Sequence, residues 1–84
     1  MDYRYVLDCE VAEIALNLSG RQREELIGIF RSLASTPFQR GDWYFRDSSL
    51  REIQKKRFGP WAISFWADHP VREVRIVGLQ RIRR

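Results

Sequence analysis

Trp61-Ala62-Ile63-Ser64-Phe65-Trp66-Ala67-Asp68 is the stretch whose reading decides the fold. It is dense in β-branched and aromatic residues, and the alternation of a strand puts Trp61, Ile63 and Phe65 on one face and Ala62, Ser64 and Trp66 on the other. A strand that is apolar on both faces belongs inside a sheet covered on both sides. Turn residues bracket it, with Gly59-Pro60 before and Asp68-His69-Pro70 after, so the strand runs from Pro60 to Ala67. Arg51 to Phe58 alternates weakly and Val71 to Val77 alternates again. Three strands joined by short turns make an antiparallel meander the economical topology.

Upstream of the meander the period changes from two to about 3.6. Leu26, Ile29, Phe30 and Leu33 form one apolar stripe, opened by Ser19-Gly20-Arg21-Gln22, a capping-box pattern, and closed by Thr36-Pro37. Val11, Ile14, Ala15 and Leu18 give a shorter helix from Glu10 to Leu18, with Asp8 placed to cap it. Tyr3 to Leu7 reads as a first strand, and Phe38 to Ser49 as an irregular crossing that contains the aromatic run Trp43-Tyr44-Phe45. The expected fold is α+β: two N-terminal helices packed on a small, mainly antiparallel sheet of three or four strands.

The 84 residues leave room for one domain, 1–84. A chain this short buries only about 60–65 % of its unfolded surface, so a stabilising partner is expected. Cys9 is the only cysteine, which excludes an internal disulfide and a cysteine-based zinc site and fits a reducing cytosol; it reads as a small, half-buried residue. No apolar run reaches the ~20 residues of a membrane span, and Met1-Asp2-Tyr3-Arg4 has no signal-peptide pattern, so the expected location is cytoplasmic. No metal cluster or phosphate-binding glycine loop stands out, and neither a metal nor another cofactor is expected. His69, the only histidine, reads as a surface turn residue.

Charge is unevenly placed. Residues 1–50 carry 6 basic and 8 acidic side chains, and residues 51–84 carry 9 basic and 3 acidic. The second half therefore suits a polyanionic partner, either nucleic acid or an acidic protein segment. Arg51, Lys55, Lys56, Arg57, Arg75, Arg81 and Arg83 are the candidate phosphate contacts, and Trp43, Tyr44 and Trp61 the candidate stacking platforms for unpaired bases.

Tyr3 to Leu7, the helices closing at Ser35-Thr36-Pro37, Arg51-Glu52-Ile53-Gln54, and Gly59 before Trp61 to Asp68 together resemble the RelE/ParE toxin superfamily, in its plasmid-stabilisation, RelE-like branch. The resemblance spans nearly the whole chain. It implies the toxin of a type II toxin-antitoxin system, held inactive by a cognate antitoxin, as a homodimer or a toxin-antitoxin heterotetramer. In the RelE branch it implies translation inhibition by an mRNA interferase acting on ribosome-bound mRNA. Lysines and arginines there hold and polarise the phosphodiester while a proton acceptor frees the ribose 2′-OH. The strand positions where that branch places paired lysines correspond to Glu52 and Gln54, the arginine of the next strand to Trp61, and the residue two after Gly78 to Gln80; no tyrosine follows Tyr44. The catalytic candidates are therefore Lys55, Lys56, Arg57 and Arg81. A ParE-like gyrase inhibitor, or an inactive RelE-like module that only binds protein, needs no catalytic set and stays open beside the enzyme. So does a small RNA-binding domain without toxicity.

Overall fold

The computed structural model describes residues 2–82. Strand β1 (Arg4–Leu7) leads into helices α1 (Cys9–Leu16) and α2 (Gly20–Ser35). Strands β2 (Trp43–Arg46), β3 (Glu52–Phe58), β4 (Trp61–Asp68) and β5 (Glu73–Arg81) follow, with a 3₁₀ turn at His69–Val71. The five strands form one sheet in the order β1-β5-β4-β3-β2. The meander β2 to β5 is antiparallel throughout, and β1 joins β5 in parallel after the helical crossover.

Helix α2 starts where its cap allows. The Ser19 hydroxyl accepts the Gln22 amide at 3.3 Å, satisfying one of the free N–H groups of the first turn. Ser19→Ala should therefore lower stability by about 1 kcal/mol, measured by urea unfolding. Asp8 holds the cap position of α1 in an extended conformation but makes no side-chain cap bond. The core joins Val11, Leu26, Phe30 and Leu33 of the helices to Trp61, Ile63, Phe65, Val74, Ile76 and Leu79 of the sheet. Cys9 lies at the exposed start of α1 rather than half-buried.

The sheet has one strand more than the upper expectation. Trp43–Arg46 is a strand with every residue exposed, so no burial alternation marks it. It is defined instead by backbone pairing, Trp43 opposite Lys55 through Arg46 opposite Glu52. β5 also runs past the expected end at Val77. Ser64 pairs with Gly78 but Phe65 with Ile76, so a bulge absorbs Val77 and returns Leu79 to the core face.

The turn from β2 to β3 is held by Asp47, whose Oδ1 accepts the Ser49 and Arg51 amides at 2.9 and 3.0 Å. It forces Leu50 to φ 62°, left-handed backbone in which a β-carbon is unfavourable. Leu50 is 74 % exposed and gains nothing there by packing. Leu50→Gly should stabilise the fold by about 0.5–1 kcal/mol, seen as a higher urea midpoint at unchanged slope.

Candidate nucleic-acid interface

The helices cover one face of the sheet, and strand alternation decides which side chains reach the other. Register places Trp43 across from Lys55, Lys55 across from Ser64, Arg57 across from Ala62, and Ala62 and Ser64 across from Gln80 and Gly78. These residues share the face away from the helices. Ala62 and Ser64 are only 4 % and 7 % exposed, and being small they form the floor of a groove between longer flanking side chains.

One part of the groove, about 450 Å³, is lined by Trp43, Lys55, Ala62, Gln80, Arg81 and Ile82. An adjoining part of about 340 Å³ shares Lys55, Ala62 and Gln80 and adds Ser64, Gly78 and, from α1, Glu10. α1 reaches the groove because β1 pairs only with Glu73 to Ile76, leaving the outer edge of β5 without a strand from Val77 onward. Lys55 is common to both parts, with its ammonium 5.9 Å from the Trp43 ring centroid. Trp43 is 48 % exposed, so an aromatic surface stays open beside that charge. A cation, a hydrogen-bonding floor and a free aromatic face suit a phosphate and the base next to it.

The basic residues picked from the sequence separate on this structure. Lys55 and Arg57 face the groove side of the sheet, whereas Arg81 borders one end of the groove but pairs with Trp61 and holds its guanidinium 5.6 Å from that core ring. Lys56 points to the helix side, where its Nζ donates to Gln39 Oε1 at 2.6 Å. Arg51 lies 4.0 Å over the Trp66 ring and pairs with Asp47 at 3.5 Å, and Arg75 pairs with Glu73 at 3.1 Å. Arg83 lies outside the described residues. Trp61 is 3 % exposed within the helix-side core, so it has no face free for a base. Glu52 and Gln54 also belong to the helix-side set, with Lys56 and Phe58. On the open face, Lys55 and Arg57 form a basic pair two residues apart.

Glu10 was missed in the sequence because only the packing of α1 beside β5 brings it to the groove. Apart from a helix-facing pattern, nothing local signals it. His69 is exposed in its turn and accepts from or donates to the Tyr3 hydroxyl at 2.7 Å, while Phe38 stacks on its ring at 4.7 Å. That arrangement ties the β4–β5 turn to the start of the chain. Among the described residues no group of three or more metal-ligating side chains occurs, and no helix is long and apolar enough to cross a membrane.

No family model and no curated protein matches this chain. Solved structures do. The RelE-RelB complex of the archaeon Pyrococcus horikoshii OT3 contains a chain with a TM-score of 0.73 and 14 % identity, over 96 % of both chains. The toxin-antitoxin complex RelBE2 of Mycobacterium tuberculosis gives 0.77 and 16 %, over 96 % of this chain and 99 % of that one. This chain has a RelE-like fold. At such identities the likeness is one of backbone architecture, and it extends over 96 % of this chain.

Proposed function

We propose that this chain is the toxin of a type II toxin-antitoxin pair, a RelE-like translation inhibitor that cuts mRNA on the ribosome in the cytoplasm. The observation that carries the proposal is the open sheet face, where Lys55 and Trp43 share one groove with Arg81, Gln80 and Glu10. Lys55 and Arg57 offer a pair of cations on that face, the residue types a phosphodiester needs.

In this reading the RNA backbone crosses the groove with one base on Trp43. The ribose 2′-oxygen attacks the adjacent phosphorus, its proton passing to the Glu10 carboxylate. The bond to the 5′-oxygen of the next nucleotide breaks, leaving a 2′,3′-cyclic phosphate and, once that oxygen is protonated, a 5′-hydroxyl. Lys55 stabilises the extra negative charge on the phosphoryl oxygens, and Arg57 holds a flanking phosphate. A cognate antitoxin fits the same reading. The two solved structures named above are a RelE-RelB complex and a toxin-antitoxin complex, and a basic groove with an open aromatic wall is a surface that a partly acidic segment can cover.

A translation assay with mapped mRNA ends, run beside a DNA supercoiling assay, tests this. Cut transcripts with normal supercoiling are expected. Intact transcripts with gyrase blocked would replace it with the ParE-like reading, and no effect in either assay would leave a module that only binds protein.

A further inference from the structure

We infer that Ser64 is a phosphate-binding residue of the groove, its hydroxyl donating to the same phosphoryl group that Lys55 attracts, with Gly78 keeping open the space that the phosphate enters. The inference deepens the proposed function and rests on its placing RNA in the groove. Trp43, Lys55, Ser64 and Gly78 stand opposite one another on four neighbouring strands, so they form a single row across the open face. Directly opposed residues hold their β-carbons about 4.5–5.5 Å apart. The Lys55 stem and the Ser64 hydroxyl therefore rise side by side, and a phosphate above Ser64 lies in line with a base on Trp43.

Ser64 is the one buried polar side chain among the described residues. Its hydroxyl makes no hydrogen bond to any of them, yet none of their side-chain oxygens or nitrogens is both sealed from solvent and unpaired. The hydroxyl is therefore open, and it opens into the part of the groove that Lys55, Gly78, Gln80 and Glu10 also line. Its donor is free for a ligand. Gly78 decides the access. A β-carbon there would stand 3.0 Å from both Cβ and Oγ of Ser64, so any side chain at this position would cover the hydroxyl. Lys55, as the immediate neighbour on the other side, makes the occupant an anion. A phosphate over Gly78 thus reaches a neutral donor in Ser64 and a charged one in Lys55, and hydrogen bonds to an anion are the strong ones. Glu10, the remaining charged group that lines this part, is exposed on α1 and is left to the ribose.

Fluorescence anisotropy with a single strand about ten nucleotides long, made once as DNA and once as RNA of the same sequence, tests this apart from cleavage, because DNA has no 2′-hydroxyl to attack. Ser64→Ala should weaken binding of both strands about tenfold. The salt slope should keep its wild-type value, since no charge is lost. Urea unfolding should show no loss of stability, because the hydroxyl has no protein partner to lose. Gly78→Ala should weaken binding as much, and adding it to Ser64→Ala should cost little more, since the hydroxyl it covers is already gone. Should Gly78→Ala misfold, Ser64→Ala carries the test alone. Wild-type affinity in Ser64→Ala overturns the inference and leaves RNA binding by the groove standing. A loss confined to the RNA strand also overturns it, by putting the hydroxyl on the ribose. Wild-type protein that binds neither strand overturns the reading of the groove and the inference with it. Binding that depends on Ser64, in a protein that cuts no transcript, upholds the inference and removes only the cleavage.

Discussion

Replacing Gly41 by alanine is expected to destabilise the fold by about 3 kcal/mol, the upper range for overpacking. A β-carbon built there would run into the Lys55 carbonyl oxygen and sit 2.8 Å from the Lys55 nitrogen. Both are backbone atoms of a paired strand, so neither can swing aside as a flexible side chain would. Moving Gly41 instead breaks the contacts that dock this loop on β3. The Gly41 amide donates to Gln54 Oε1 at 2.8 Å, the Asp42 amide to the Lys55 carbonyl at 2.9 Å, and the Arg57 amide to Asp42 Oδ2 at 2.8 Å. For a domain of this size the loss corresponds to a fall in Tm of about 12–24 °C. Gly28→Ala is the matched control. Gly28 lies in α2 with open space where a β-carbon would go, and the same added methyl should raise stability there by up to about 1 kcal/mol. Thermal unfolding of the two variants should move in opposite directions; equal, small shifts would show that the Gly41 loop is not held against β3.

How much of this was legible in the sequence depends on whether the cause is local. The α2 cap was, because Ser19 and Gln22 lie within one turn and satisfy each other's neighbourhood whatever the rest of the chain does. β4 was, because an apolar strand between two turn signals has few other readings. β2 was not: it exists because Gly41 and Asp42 dock on β3, residues brought together only by the fold, and its side chains face solvent on both sides. β5 was cut short at Val77 because the bulge interrupts the alternation there while pairing continues to Arg81. The candidate site divides in the same way. Charge alone picked out Lys55, Arg57 and Arg81 together with Lys56, Arg51 and Arg75 and could not separate them by face. Which face of β4 the helices would cover was not legible, and that choice buries Trp61 while leaving Ala62 and Ser64 at the bottom of the groove.

Neighbouring lysines that looked equivalent should behave as opposites. Lys55 faces the groove opposite Ser64 and beside Trp43, and no protein carboxylate pairs with it among the described ion pairs. Lys56, one residue on, faces the helix side opposite Ile63 and donates to Gln39 in the loop after α2. If the groove holds the scissile phosphate, Lys55→Ala removes the cation that meets the developing charge and should cut RNA cleavage and toxicity by at least about a hundredfold. Its effect on stability should be small, because a half-buried lysine without a partner contributes little to folding. The salt dependence of RNA association should fall by about one unit of slope for the lost phosphate contact. Lys56→Ala should do the reverse. It leaves Gln39 Oε1 without its donor and should lower stability by about 1 kcal/mol, while cleavage, toxicity and the salt slope stay near wild type. Growth arrest, mapped transcript ends and urea unfolding of the two variants read out both halves. Loss of activity in Lys56→Ala with retention in Lys55→Ala would mean that the working surface is the helix side of the sheet, and the groove would lose its claim to the RNA.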